Sequence, residues 1–266
     1  EIEREKLIQK LAETNDELER SNEELEKTNT ELLRLSKMKD DFLAIASHDL
    51  RAPFNGILGA SELLSLDETL TERQKTFASI IHNSAKIQLQ YVDDILEILR
   101  FESEGIKMNY ESAELDKIIE DCVSIFQILA MNKNIEILVE TNKEIMIEVD
   151  VPKFSQVLNN LLSNAIKFTH NGGKIILRAF ENSQGYLEIH VIDSGIGIPP
   201  DKVENLFKSY QQVHQSGTAG EKGTGLGLTV CKKMIEAHGG NISVKSEINN
   251  GTDFTITLPL KKRDSG

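Results

Sequence analysis

The stretch SHDLRAPFNG, residues 47–56, puts a histidine, an aspartate and an arginine within four positions of a segment that otherwise reads as amphipathic helix. His48 lies two residues, about 200° of helical rotation, from Leu50, a member of an apolar stripe, so the imidazole is predicted to face solvent. A neutral imidazole can react through one ring nitrogen while a carboxylate takes the proton on the other. Asp49 is placed to fix that tautomer. Pro53 cannot donate to the Asp49 carbonyl and crowds it, which predicts a bend just after the reactive turn.

A second group of polar residues falls in NNLLSNAIKF, residues 159–168, where Asn160, Asn164 and Lys167 recur at i, i+4 and i+7 on one helix face. Two amides and an ammonium so aligned meet the needs of a Mg-nucleotide, although an ordinary solvated face has the same appearance. In IDSGIGIPP, residues 192–200, a strand with alternating Leu187, Ile189 and Val191 leaves Asp193 at its end, able to accept from an exocyclic amine. The glycine cluster GEKGTGLGL, residues 220–228, leads into a helix whose N-terminus can cradle an anion. It is neither a Walker A loop nor a dinucleotide fingerprint: Gly225 is followed by Leu226, and Gly227, the third glycine of the run that begins at Gly223, comes one place early. His82, His170, His190, His214 and His238 lack metal-ligand spacing and are expected to be surface or satisfied residues.

These residues need elements to hold them. Residues 1–36 contain no Gly or Pro, and Leu11, Leu18, Leu25 and Leu32 step by seven, a coiled-coil seam. With leucine at d, the a positions are Ile8, Asn15, Asn22, Asn29 and Ser36, and repeated Asn at a favours a parallel pair. Leu43, Leu50, Ile57 and Leu64 continue the seven-residue step in a new frame. A second helix is predicted from Thr71, its N-cap, to a stop at Gly105, carrying Phe77, Ile80, Ile87, Ile95 and Leu99. A hairpin with one wide apolar face requires a partner, so a dimeric four-helix bundle is expected. From about Lys107 the texture becomes that of a separate α+β domain. Hairpins are predicted from 174–180 with 186–193 and from 241–248 with 252–260, and helices over Leu115–Met131, Pro152–Phe168 and Leu228–Ala237.

The 266 residues are 39% apolar, enough for a real core, and carry a net charge of -13, which argues against nucleic acid as a partner. Two cysteines without a C-x-x-C pair make a disulfide framework or zinc site improbable and fit a reducing compartment. No apolar run of about 18 residues and no signal peptide occur, so a cytoplasmic piece of a longer chain, whose membrane anchor would lie elsewhere, is expected.

At this point the chain resembles the core of a sensor histidine kinase of two-component signalling, over residues 1–262. NNLLSNAIKF resembles the N box, DSGIG the first glycine box, LFKSY (206–210) the F box, GTGLGL the second glycine box, and SHDLRAPFNG the phospho-accepting H box. The resemblance implies a coiled-coil signalling helix (1–36), a dimerisation and phosphotransfer hairpin (37–104), a two-layer α/β sandwich that binds ATP (105–262) and a tail (263–266). It makes His48 the nucleophile, with Asp49 beside it in the catalytic pair. Asn160 and Asn164 would hold Mg2+, Lys167 would approach phosphate with Phe168 beside it, and Asp193 would read adenine, with Gly195, Gly197 and Ile198 following. Tyr210, where the F box usually has Phe, and Gly223, Thr224, Gly225, Leu226, Gly227 and Leu228 complete the implied nucleotide contacts, under a mobile lid from Gln211 to Lys222. Implied partners are a second copy of the chain, a response regulator that receives the phosphoryl group on an aspartate, and an N-terminal sensor domain outside this chain.

Two rival readings share these residues. ATPases of topoisomerases, heat-shock chaperones and mismatch-repair proteins have the same nucleotide fold but a water-activating Glu in place of Asn160, and an amide is no such base. A non-catalytic scaffold would not need complete boxes, and an ATP-binding assay separates it. One departure stands out: the family commonly has Thr or Asn four residues after the histidine, where it helps place the water that dephosphorylates the regulator. Here it is Ala52, which implies a bias towards kinase activity.

Overall fold

The structure is a computed structural model that describes residues 2–67, 69–104, 106–141, 145–207, 217–218 and 225–260. It contains two compact units, residues 1–49 and 50–266.

The first unit is helical throughout its described residues and forms the N-terminal part of helix α1 (Ile2–Leu66). Unbroken helix follows from a stretch without Gly or Pro and rich in Glu, Lys and Leu. The seam leucines Leu11, Leu18, Leu25 and Leu32 are each more than half exposed, as they must be on a single coiled-coil strand. Ile8, the first a-position residue, lies outside the described side chains.

The second unit holds the rest of α1 and helix α2 (Glu72–Glu104). Pro53 lies inside α1, whose helix continues to Leu66. Thr71 is the N-cap expected of it: its Oγ1 accepts from the Gln74 backbone N–H at 3.4 Å while Gln74 Oε1 accepts from the Thr71 N–H at 2.9 Å, a reciprocal capping box. Arg51 Nε donates to Asp93 Oδ1 at 2.6 Å and Ser61 pairs with His82 at 3.1 Å, which fixes an antiparallel register for the two helices. Leu50, Ile57 and Leu64 remain between 42% and 46% exposed, the apolar face that a lone hairpin cannot bury.

An α+β layer structure follows. Strands β1 (Glu111–Glu114), β2 (Glu136–Thr141), β3 (Met146–Val149), β4 (Lys174–Glu181), β5 (Tyr186–Asp193), β6 (Asn241–Glu247) and β7 (Gly251–Pro259) alternate with helices α3 (Leu115–Asn132), α4 (Val151–Phe168), α5 (Pro200–Val203) and α6 (Gly227–Ala237). The main sheet has the order β2-β4-β5-β7-β6, parallel only between β2 and β4, and a separate antiparallel ribbon pairs β1 with β3. Helices α3, α4 and α6 pack on one another and on the sheet, making two layers around a single core. Both expected hairpins formed, as β4–β5 and β6–β7, and the three expected helices lie within one residue of their anticipated ends. The four-residue β1 and β3, the largely exposed β2 and the single turn α5 carry too few periodic residues to be named from sequence.

Candidate functional site

In the first unit His48 is exposed, its side chain 83% accessible, and its Nδ1 lies 3.1 Å from Asp49 Oδ1. The pair has the predicted geometry: one ring nitrogen is engaged by a carboxylate, and the ring stands in solvent.

In the second unit, helix α4 starts where the Asp150 carboxylate accepts from the Lys153 N–H at 3.2 Å, with Pro152 in the first turn. Its inward face carries Phe154, Val157, Leu158, Leu161, Leu162, Ala165 and Ile166, which turns Asn160, Ser163, Asn164 and Lys167 towards a cavity of about 390 Å3. Lys167 Nζ sits 4.6 Å above the Phe168 ring, a cation–π contact at the cavity wall.

Strand β5 buries alternate residues, and Asp193 occupies the fourth inward position, where the alternation calls for an apolar side chain. Register places it against Thr252 of β7, and Thr252 and Phe254 line the same cavity. Burial pushes the Asp193 carboxyl up to about 6, against the opposing hydrogen bonds from the backbone N–H groups of Gly195 and Thr252. Gly195 donates to Asp193 Oδ1 at 2.8 Å, and a Cβ on it would collide with the Phe168 carbonyl, so only glycine permits this turn. Gly195 thus shapes the site from behind, whereas Gly197 and Ile198 face the cavity.

Helix α6 begins at Gly227 without a side-chain cap, and Gly225, Gly227 and Leu228 line the cavity while Leu226 is buried behind it. A Cβ on Gly227 would lie 3.1 Å from Asn160 Oδ1, so the missing side chain is what lets the helix end approach that amide. Tyr210, Gly223 and Thr224 lie outside the described residues, as does most of the expected lid. Its described residue Thr218 is tied down: the Thr218 N–H donates to the Lys167 carbonyl at 3.0 Å, and Lys133 Nζ donates to Thr218 Oγ1 at 3.0 Å.

Sequence reasoning placed Leu206 only as the first residue of the F box, missed Ser163, Thr252 and Phe254, and missed the wall that α2 supplies through Lys86, Ile87, Gln90 and Asp94. The i, i+4, i+8 spacing of Lys86, Gln90 and Asp94 was visible, but nothing local distinguishes it from a solvated stripe. The shape suits a nucleotide: a buried acceptor for an amine at one wall, apolar Ile198, Leu206 and Phe254 for a flat ring, and amides, a lysine and the N-terminus of α6 for phosphates. Of the remaining histidines, His238 is buried between the Asp150 N–H and the Met234 carbonyl, His190 stacks on Phe180 and His82 pairs with Ser61, while His214 lies outside the described residues. Both cysteines are buried and free, and among the described residues there is no His/Cys/Asp/Glu cluster fit for a metal and no helix long and apolar enough to cross a membrane.

Comparison with known proteins agrees with this anatomy. Residues 38–104 match the His Kinase A (phospho-acceptor) domain, and residues 149–262 match the histidine kinase-, DNA gyrase B- and HSP90-like ATPase domain. The hybrid signal transduction histidine kinase D of Dictyostelium discoideum is 35% identical over 92% of this chain and 16% of its own length. The sensor protein SrrB of Staphylococcus aureus is 33% identical over 85% of this chain and 39% of its own. The chain therefore spans well under two thirds of these relatives. Full-length ShkA in complex with AMPPNP aligns with a TM-score of 0.68 at 28% identity, over 84% of this chain and 46% of that one. Histidine kinase ThkA in complex with the response regulator TrrA aligns at 0.58 and 26% identity, over 83% and 61%. With a phospho-acceptor domain and an ATP-binding domain in this order, together spanning more than half of its length, the chain belongs to the sensor protein histidine kinases.

Proposed function

We propose that this chain phosphorylates its own His48 from ATP and passes the phosphoryl group to an aspartate of a response regulator in two-component signalling. The observation that carries this reading is the exposed His48–Asp49 pair: with Nδ1 engaged by the carboxylate, Nε2 is the nitrogen left to attack. Its lone pair forms the bond to the γ-phosphorus as the bond to the bridging oxygen breaks and ADP departs. Asp49 takes the Nδ1 proton, so the product is a phosphoramidate with a neutral imidazole ring and an anionic phosphoryl group.

The α4 face and the N-terminus of α6 support the nucleotide half of the reading, with Asp193 accepting from the adenine amine and Lys167 meeting the phosphates. Asn160 and Asn164 would hold Mg2+, which when bound offsets phosphate charge. An amide at 160 has no basic form with which to activate water, which favours transfer to His48 over hydrolysis. The relatives' names, which include an autoinducer 2 sensor kinase/phosphatase of Vibrio parahaemolyticus, and the ThkA–TrrA complex support a response regulator as the acceptor. The working unit is a parallel homodimer on the cytoplasmic side, where ATP is supplied, and the division at 36/37 and 104/105 separates signalling helix, hairpin and catalytic domain. The reaction is biased towards the kinase because Ala52 offers water no hydrogen bond.

Incubation with Mg-ATP is expected to label His48 with an acid-labile, base-stable phosphoryl group that His48→Gln abolishes. Labile label persisting in His48→Gln would overturn the assignment.

A further inference from the structure

Helix α2 is not only one arm of the helical hairpin but also one wall of the cavity. Ile98 of α2 is buried in the same core as α4, and Gln156 of α4 donates to Glu97 Oε2 at 2.9 Å, so the helix is held there by both packing and a directed bond. Two consecutive aspartates then divide. Asp93 accepts from Arg51 of α1, while Asp94, only 4% exposed, faces the cavity and accepts from Gln90 Nε2 at 2.8 Å. Asp94 lines this cavity together with Asn160 and Asn164 of α4.

A carboxylate buried in a cavity that would hold a polyphosphate adds repulsion where water is excluded, and a divalent cation between the two would offset it. Two neutral amides are a weak set for Mg2+, which is usually held by one or two carboxylates together with substrate phosphates. We propose that Asp94 is the carboxylate that makes nucleotide binding in this cavity depend on a divalent cation, acting beside Asn160 and Asn164. The proposal rests on reading the cavity as the ATP site. It also makes nucleotide occupancy and the docking of α2 mutually supportive, since metal-bound nucleotide would join the two.

Calorimetric titration of the whole chain with ATP, in excess Mg2+ and in EDTA, tests this without recourse to activity. Asp94→Asn is expected to weaken binding in Mg2+, tighten it in EDTA, and so shrink the ratio of the two affinities by about tenfold. Asp94→Glu should retain much of the ratio, and Asp93→Asn, whose side chain points to Arg51, should leave it unchanged. An undiminished ratio in Asp94→Asn, or tighter binding in both media, would overturn the proposal while leaving the ATP site intact. A wild-type chain that binds no ATP in either medium would overturn the ATP site and the proposal with it.

Discussion

A carboxylate on the inward row of a central strand is costly, and Asp193 accepts that cost for the sake of an acceptor in a dry pocket. Its pKa, raised from 3.8 to about 6, corresponds to about 3 kcal/mol by which the folded state disfavours the ionised form. The sign follows from the direction. An acid whose folded pKa is raised costs nothing at low pH, and the penalty grows as pH rises from about 4 to about 6 and stays constant above. Asp193→Asn should therefore stabilise the nucleotide-free protein at pH 8 by about 1–3 kcal/mol, and the gain should vanish near pH 4. Urea melts at the two pH values measure it, and an equal gain at both would refute the account. ATP binding, which needs the ionised acceptor, should strengthen as pH rises through about 6 and be lost in Asp193→Asn.

Along helix α1, four residues make roughly one turn, and the side chain at 52 belongs to the helical face of His48. Ala52 is exposed and its methyl neither donates nor accepts, so a water attacking a phosphorylated regulator finds no partner there. Autophosphorylation and forward transfer need no hydroxyl at that position, and the two activities should separate. Ala52→Thr is expected to raise dephosphorylation of the regulator several-fold with little change in autophosphorylation. Equal phosphatase rates in the two proteins would show that another side chain, such as Asn55 one turn on, holds the water.

At the scale of the molecule, the exposed apolar surface is concentrated on the long helices. Leu11, Leu18, Leu25 and Leu32 are 58–71% accessible, and Phe42, Ile45, Phe77 and Ile80 are also more than half exposed. Such surface marks an interface. Polar Asn at successive a positions pairs best with its own copy in a parallel arrangement. Light scattering should give about twice the monomer mass of 29.8 kDa, and Leu18→Glu with Leu25→Glu should weaken that association. A monomer at micromolar concentration in the wild type would rule out the dimer.

Much of this protein is written in local patterns. The seven-residue steps, the Thr71–Gln74 capping box, the alternating strands β4 and β5 and the amphipathic α4 each follow from residues within one or two turns of each other, and so did the polar face of Asn160, Asn164 and Lys167. Burial of Asp193 could be anticipated from its parity with Leu187, Ile189 and Val191, though its raised pKa could not, because it is the balance of burial in the folded chain against hydrogen bonds from Gly195 and the distant Thr252. The pairing of β1 with β3, the contribution of Thr252 and Phe254, and above all the α2 wall came only with folding. Lys86, Gln90 and Asp94 lie some seventy residues before Asn160, and a helix that is amphipathic in isolation does not disclose which of its polar stripes will meet another domain. That choice was made by the packing of Ile98 and the Glu97–Gln156 bond, non-local contacts whose energies no stretch of α2 contains.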